Sequence, residues 1–257
     1  VSFPQTIWRP APERPALERD EVHVWRAATV RPSRVAELVR LLAPDECDRA
    51  NRFHFKKDRD LYVSARGLLR TLLGRYLHVE PGRLRFRYSN FGKPSLVDAG
   101  GMPLRFNVAH SGDQILFAFA LARETGVDVE RVRDDFATNE IASHYFSRQE
   151  VATLKALPTD LRVESFFRCW TLKEAYVKAR GEGLSLPLDR FTVSVDPREP
   201  AALVAVEDTP EEVSRWSLWD LNPCAGYAGA LAVEGLNLRL NRWQWSHDLD
   251  ASSQGAA

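Results

Sequence analysis

The chain has 257 residues, in which 35 lysines and arginines balance 35 aspartates and glutamates. That length allows a proper core for one large domain or two ordinary ones. The zero net charge excludes a global field that would gather nucleic acid or an anionic membrane, so any anion site must be a local cluster.

Residues 1–20 form a proline-rich lead, with Pro4, Pro10, Pro12 and Pro15 among charges and no apolar stretch of the signal-peptide kind. No run is long enough to span a membrane. The three cysteines, Cys47, Cys169 and Cys224, are widely spaced, as in a reduced, cytoplasmic chain. Val22 to Trp25 alternates like a strand, and Val35, Leu38, Val39 and Leu42 share one helix face after Ser33. Pro44, Asp45 and Glu46 restart a short helix. A long one follows, with Leu61, Ala65, Leu68, Leu69, Leu72 and Tyr76 inward. Arg59, Arg66 and Arg70 fall together on another face, which reads as solvated.

Leu84 to Tyr88 alternates as a strand and leads into the turn Ser89-Asn90-Phe91-Gly92-Lys93-Pro94, where a lysine on a flexible turn suits a phosphate. Phe106-Asn107-Val108-Ala109-His110-Ser111 precedes the apolar run Ile115 to Leu121, a buried strand by length and flanks. His110 stands at its mouth, with no second histidine or cysteine at zinc-ligand spacing. In Gly126-Val127-Asp128-Val129-Glu130, strand alternation turns Asp128 and Glu130 to the same face. Phe136, Ile141, Ala142 and Tyr145 have helical spacing, and Ser147 with Glu150 forms a capping box that makes Glu150 structural.

The stretch Phe166 to Leu184 reads as a helix closed by Gly181 and Gly183. It is apolar around most of its circumference, so it must be largely buried, yet Glu174 and Lys178 share a face one turn apart. Alone, that pair is equally a solvated ion pair. With Asp128 and Glu130 it makes three carboxylates in need of a common cation, and a hard divalent ion is the usual solution. Strand-like segments follow at 191–195, 216–219, 227–233 and 238–245, and residues 248–257 are expected to be a disordered tail. The helix-then-sheet order occurs twice, which places a join near Arg123 and divides the chain into halves at 21–123 and 124–247.

Two of these stretches, Gly126 to Glu130 and Trp170 to Leu184, resemble the paired signatures of the Sfp-type 4'-phosphopantetheinyl transferases, a G-[VI]-D-[VI]-E strand and a W-[ST]-x-K-E-A-[YF]-x-K-x-x-G-x-G-L helix. The resemblance extends from about Pro44 to Val195. It implies an α+β fold of two similar halves related by a pseudo-twofold, with the active site at their interface. It implies transfer of the 4'-phosphopantetheine arm of coenzyme A to a serine of an apo acyl or peptidyl carrier protein by a cytoplasmic monomer. Asp128, Glu130 and Glu174 would hold Mg²⁺, Lys178 would neutralise phosphoryl oxygens, and Glu174 would also be the candidate base. Lys57, Lys93, Asn107 and His110 would contact the coenzyme, with Arg66 a further basic candidate. Ala109 stands where the family commonly has serine, which implies the loss of one hydroxyl contact. Lys173 points about 100° away from Glu174 and is open to ligand, partner or solvent. The same residues would also serve a metal-dependent nucleotide phosphohydrolase, whereas the presence of all three carboxylates and Lys178 argues against a coenzyme-binding or scaffold protein that has lost catalysis. Nothing in the sequence chooses among fatty-acid, polyketide and peptide carriers.

Overall fold

In the computed structural model, which describes residues 7–246, the chain lays down one series of elements twice. After a short strand, β1 (Arg9–Pro10), the first pass runs β2 (Glu21–Ala28), α1 (Pro32–Val39), α2 (Pro44–Asn51) and the long α3 (Lys56–Leu77). It continues through a small hairpin, β3 (Phe86–Tyr88) and β4 (Pro94–Leu96), and a longer one, β5 (Leu104–Ser111) and β6 (Gln114–Leu121). The second pass runs β7 (Thr125–Arg131), α4 (Asn139–Tyr145), α5 (Arg148–Ala156) and the long α6 (Thr159–Arg180). It ends with the hairpins β8 (Phe191–Val193) with β9 (Leu203–Val206) and β10 (Trp216–Leu221) with β11 (Tyr227–Glu234). Both long helices have 22 residues. In both passes the first strand pairs with the last and the last with its hairpin partner, giving the antiparallel orders β2-β6-β5 and β7-β11-β10. The fold is thus α+β in two similar halves.

The final strand, β12 (Arg239–Gln244), leaves this order. Sequence position assigns it to the second half, but it runs parallel beside β2 at the edge of the first sheet, with β1 outside it. Aromatic packing accounts for the placement: Trp243 and Trp245 join Trp25 in the first core, with ring centroids 6.3 and 6.2 Å from it. The strand also covers an edge that β2 would otherwise leave unpaired. Residues 1–6 of the proline-rich lead and the tail at 248–257 lie outside the described residues. Among the described residues no helix is long and apolar enough to cross a membrane.

The basic face of α3 is not solvated as its spacing suggests. Arg66 and Arg70 are 7% and 1% exposed, and both guanidiniums hold the buried Glu46 of α2. Arg70 also donates to the carbonyls of Pro81 and Leu84 at 2.9 and 3.0 Å. Arg66 lies over the Phe86 ring at 4.0 Å. One buried carboxylate facing two guanidiniums is the kind of pairing that lets such charges leave water.

In the second half α6 lies against β7 and β11, and two features fix it there. The first is a close approach: a Cβ on Gly126 would sit 2.1 Å from the Ala175 carbonyl oxygen and 2.3 Å from the Ala179 nitrogen. Ala230 and Ala232, paired with Asp128 and Gly126 across the ladder, keep that face of the sheet low. The second is a buried ion pair. Lys173, expected to meet ligand, partner or solvent, is instead fully buried, with its ammonium 2.8 Å from Glu150 and donating to the carbonyls of Leu188 (2.7 Å) and Phe191 (2.6 Å). Glu150 caps α5 through the Ser147 amide as expected and also accepts from the Val193 amide. Every strong donor and acceptor of the pair is used, as a buried pair requires.

Gly126→Ala would force strand and helix apart. The substitution should cost about 1–3 kcal/mol, typical of overpacking, and depress activity more than stability alone explains, because β7 carries Asp128 and α6 carries Glu174. Thermal unfolding and activity measured on the same preparation test this; full activity would show that the spacing is not critical.

Candidate active site

The edge of the second sheet is pinned to the first by side chains rather than by a ladder. On β5, Asn107, Ala109 and Ser111 point one way, towards β7. Asn107 Oδ1 accepts from the Val127 amide at 2.9 Å, and Ser111 Oγ accepts from the Arg131 amide at 3.2 Å. These stitches satisfy amides on the edge of β7 that no strand pairs, and set its register. Val127 and Val129 then face the core between the sheets, while Asp128 and Glu130 face α6.

Asp128, 3% exposed, meets Lys178 of α6, whose Nζ lies 2.6 Å from Oδ1. The other oxygen, Oδ2, is buried with no hydrogen-bond partner. Ser111 Oγ donates to Glu130 Oε2 at 2.8 Å. Burial first, then the charge of Asp128, push the Glu130 carboxyl above its ordinary pKa, with Ser111 and Lys178 opposing. Burial and Asp128 likewise raise Glu174, against Lys178. Desolvation alone would lower the Lys178 ammonium, but contact with Asp128 and the charges of Glu174 and Glu130 outweigh it and hold it above its ordinary value. The three carboxylates therefore sense one another and share one lysine. Among the described residues, no three His, Cys, Asp or Glu side chains already stand close enough to hold a metal ion.

Glu174 and Lys178 form part of the wall of a cleft of about 710 Å³, within the 300–1,000 Å³ typical of small-molecule sites. Its other walls are the turn Phe91 to Pro94, Trp170 and Tyr145, and the segment Leu186 to Asp189 that Lys173 ties down. The helix ends there because Gly181 takes a left-handed conformation (φ 71°) that glycine adopts without strain. A smaller recess of about 220 Å³ adjoins through Gly92, Pro94 and Val108 and is lined by Arg49, Arg66 and His110. His110 is exposed, yet desolvation by the surrounding protein and then Lys178 hold its pKa below the ordinary value.

Two family models divide the chain between them. The one described as 4'-phosphopantetheinyl transferase, N-terminal, matches residues 24–121, and the one described as the 4'-phosphopantetheinyl transferase superfamily matches residues 124–232. Over 243 residues the chain is 37% identical to the 4'-phosphopantetheinyl transferase HetI of Nostoc sp., covering 94% of this chain and 99% of that one. The chain belongs to the 4'-phosphopantetheinyl transferase family. It is also 32% identical to the 4'-phosphopantetheinyl transferase Sfp of Bacillus subtilis, over 59% of this chain and 66% of that one. The holo-[acyl-carrier-protein] synthase of Thermotoga maritima superposes with a TM-score of 0.35 at 20% identity, covering 44% of this chain and 62% of that one.

Within this transferase the structure brings Asp128, Glu130, Glu174 and Lys178 together and sets His110 beside them. Other sequence-derived candidates have different employment. Lys93 borders the cleft, but its ammonium is taken by Glu124 (2.8 Å) and the Ala179 carbonyl (2.9 Å), strapping the turn to the end of α6. Asn107 is buried and spends its carbonyl oxygen on β7. Lys57 is exposed at the start of α3, near the Phe55 ring, and borders neither the cleft nor the recess. Ala109 is 5% exposed and faces the core between the sheets, so a hydroxyl there would meet the seam and not a coenzyme phosphate. Arg49, which sequence reasoning passed over, is the additional cation of the recess.

The raised carboxyls have a consequence for stability. With Glu130 and Glu174 above their ordinary pKa, the folded state is favoured when they are protonated. That contribution is complete below the unfolded value and is lost as pH rises through the raised ones. Glu174→Gln removes one of these charges. In divalent-free buffer near neutrality its Tm should exceed that of wild type by about 2 °C, the difference closing in acid. A lower Tm for the variant at neutral pH would make the Glu174 charge a net stabiliser.

Proposed function

We propose that the cleft between the halves, which meet at the turn 122–124, carries the family's reaction: the 4'-phosphopantetheine arm of coenzyme A passes to a serine of an apo acyl or peptidyl carrier protein, and 3',5'-adenosine bisphosphate is released. The observation that carries this reading is that Glu174 and Lys178 stand on the cleft wall with the buried Asp128 held by Lys178 behind them, and His110 lies in the adjoining recess.

The donor set fits Mg²⁺ in kind: Asp128, Glu130 and Glu174 offer only carboxylate oxygens, which suit a hard cation, and the unpartnered Asp128 Oδ2 is already buried. These three residues would hold the ion, which when bound would supply positive charge to the pyrophosphate oxygens. Lys178 then has a second role. Its side chain is 32% exposed and it reaches the cleft, so the ammonium would be available to a phosphoryl oxygen as well as to Asp128. Phosphoryl transfer is helped chiefly by such positioning and charge. Glu174, with a raised pKa and a place on the wall, is suited to accept the proton of the attacking serine. In the recess, His110 and Arg49 would grip a coenzyme phosphate, while Lys93 and Asn107 keep the wall in place. The enzyme would work as a cytoplasmic monomer.

Incubation with coenzyme A, Mg²⁺ and an apo carrier should add the arm to the carrier, and a control without carrier should show no hydrolysis of the coenzyme; hydrolysis alone would indicate a phosphohydrolase. Asp128→Asn should lower activity in a way that extra Mg²⁺ partly restores. Glu174→Gln should remain depressed, by about a hundredfold as for a lost general base, when Mg²⁺ and coenzyme are both saturating. Wild-type transfer by Glu174→Gln across the whole Mg²⁺ range would remove both roles given to it.

A further inference from the structure

A second cavity, of about 590 Å³, shares none of its lining with the catalytic cleft. It lies between β12, with Leu240 and Arg242, and the ends of β10 and β11, with Asp220 and Tyr227, and Arg9 of β1 stands on its border. Its size falls in the range of small-molecule sites.

Arg242 is out of place there. Strand alternation puts it on the same face of β12 as Leu240, and the β2 residues opposite, Val22 and Val24, belong to the apolar core between the sheets. Its Nε is buried without a hydrogen-bond partner. Among the described residues no carboxylate pairs with it. Asp220 is held by Arg168 through both oxygens, at 2.8 and 3.0 Å, and Glu164, the other acid on the cavity wall, forms no ion pair with it. Arg26, one step further along the same inner face, is satisfied by neutral acceptors, Gln244 Oε1 and the Pro223 carbonyl. Burial lowers the Arg242 pKa with no acidic neighbour to offset it. Arg242 is half-buried, with its Nε out of water and neither counter-ion nor acceptor on it, whereas the more deeply buried Arg66, Arg70 and Arg168 each have a carboxylate.

We propose that this cavity binds an anionic small molecule, whose phosphate or carboxylate oxygens pair with the Arg242 guanidinium and whose apolar part lies against Val132, Leu240 and Pro197. The planar fork of arginine matches either oxyanion. Arg9 at the border adds charge. Binding there leaves the catalytic cleft open, so coenzyme and this ligand can be held together.

Inorganic phosphate and acetate serve as probes, titrated separately against the full chain while the Arg242 Nε–Hε resonance is followed by NMR. At least one of them should shift that resonance saturably, and the one that binds more tightly identifies the headgroup. Arg242→Met, which keeps the aliphatic stem, should weaken binding by about tenfold or more, as for a lost charge-assisted bond; Arg242→Lys should lie between. His110→Ala, altered in the recess beside the cleft, should leave the shift unchanged. In anion-poor buffer Arg242→Met should have a Tm at or above that of wild type, because it removes an uncompensated charge. No saturable shift with either probe at tens of millimolar, a shift abolished by His110→Ala, or a marked fall in Tm for Arg242→Met would each overturn the proposal.

Discussion

The backbone contact between Gly126 and the last turns of α6 is the constraint on which the site depends. Only glycine lets β7 come within reach of the Ala175 carbonyl and the Ala179 amide. Two residues further along the strand, on the same face, Asp128 arrives beside Lys178. One helical turn back from Lys178, Glu174 arrives beside Asp128. A strand held a side chain's width further away would leave the same residues in the same order but outside one another's field. The glycine opening the strand signature and the alanines within the helix signature are therefore two sides of one contact.

The protein uses basic residues in two ways, and their surroundings separate them. Lys173, Arg66, Arg70 and Arg168 are almost completely buried and have several fixed acceptors each. They hold segments in place, and Lys173 does so for the stretch that forms one wall of the cleft. Lys178 contacts a single carboxylate and remains about a third exposed. The first kind is a frame and the second is available. Adjacent lysine and glutamate in the helix signature thus diverge completely, since 100° of helical rotation carries Lys173 into the core and leaves Glu174 on the cleft wall.

Much of this was legible in the sequence where the information is local. Strand alternation placed Asp128 and Glu130 together, helical spacing placed Glu174 with Lys178, and the repeated helix-then-sheet order matched the two passes of the fold. What escaped depends on contacts distant in the chain. The partners of Arg66 and Arg70 lie 20 and 24 residues away, that of Lys93 lies 86 away, and β12 pairs with β2 across more than 200 residues. Charge alone does not distinguish a solvated arginine from one facing a buried glutamate. Ala109 was a different kind of miss. Its strand phase, shared with Asn107 and Ser111, already turned it away from His110, but the motif comparison read the residues as one cluster. Arg49 sits in an eight-residue helix with only two buried residues, a pattern too short to show which face meets the recess.

The central claim is that the crowding of Asp128, Glu130 and Glu174 is relieved by a divalent cation. Calorimetric titration of the coenzyme-free enzyme with Mg²⁺, in buffers of different ionisation enthalpy, tests it most directly because it counts protons as well as heat. The raised Glu130 and Glu174 predict that Mg²⁺ binding releases protons, and that the number released grows as pH falls from neutrality towards their raised pKa values. Binding accompanied by no proton release over that range, or no binding of Mg²⁺ at all, would contradict the account.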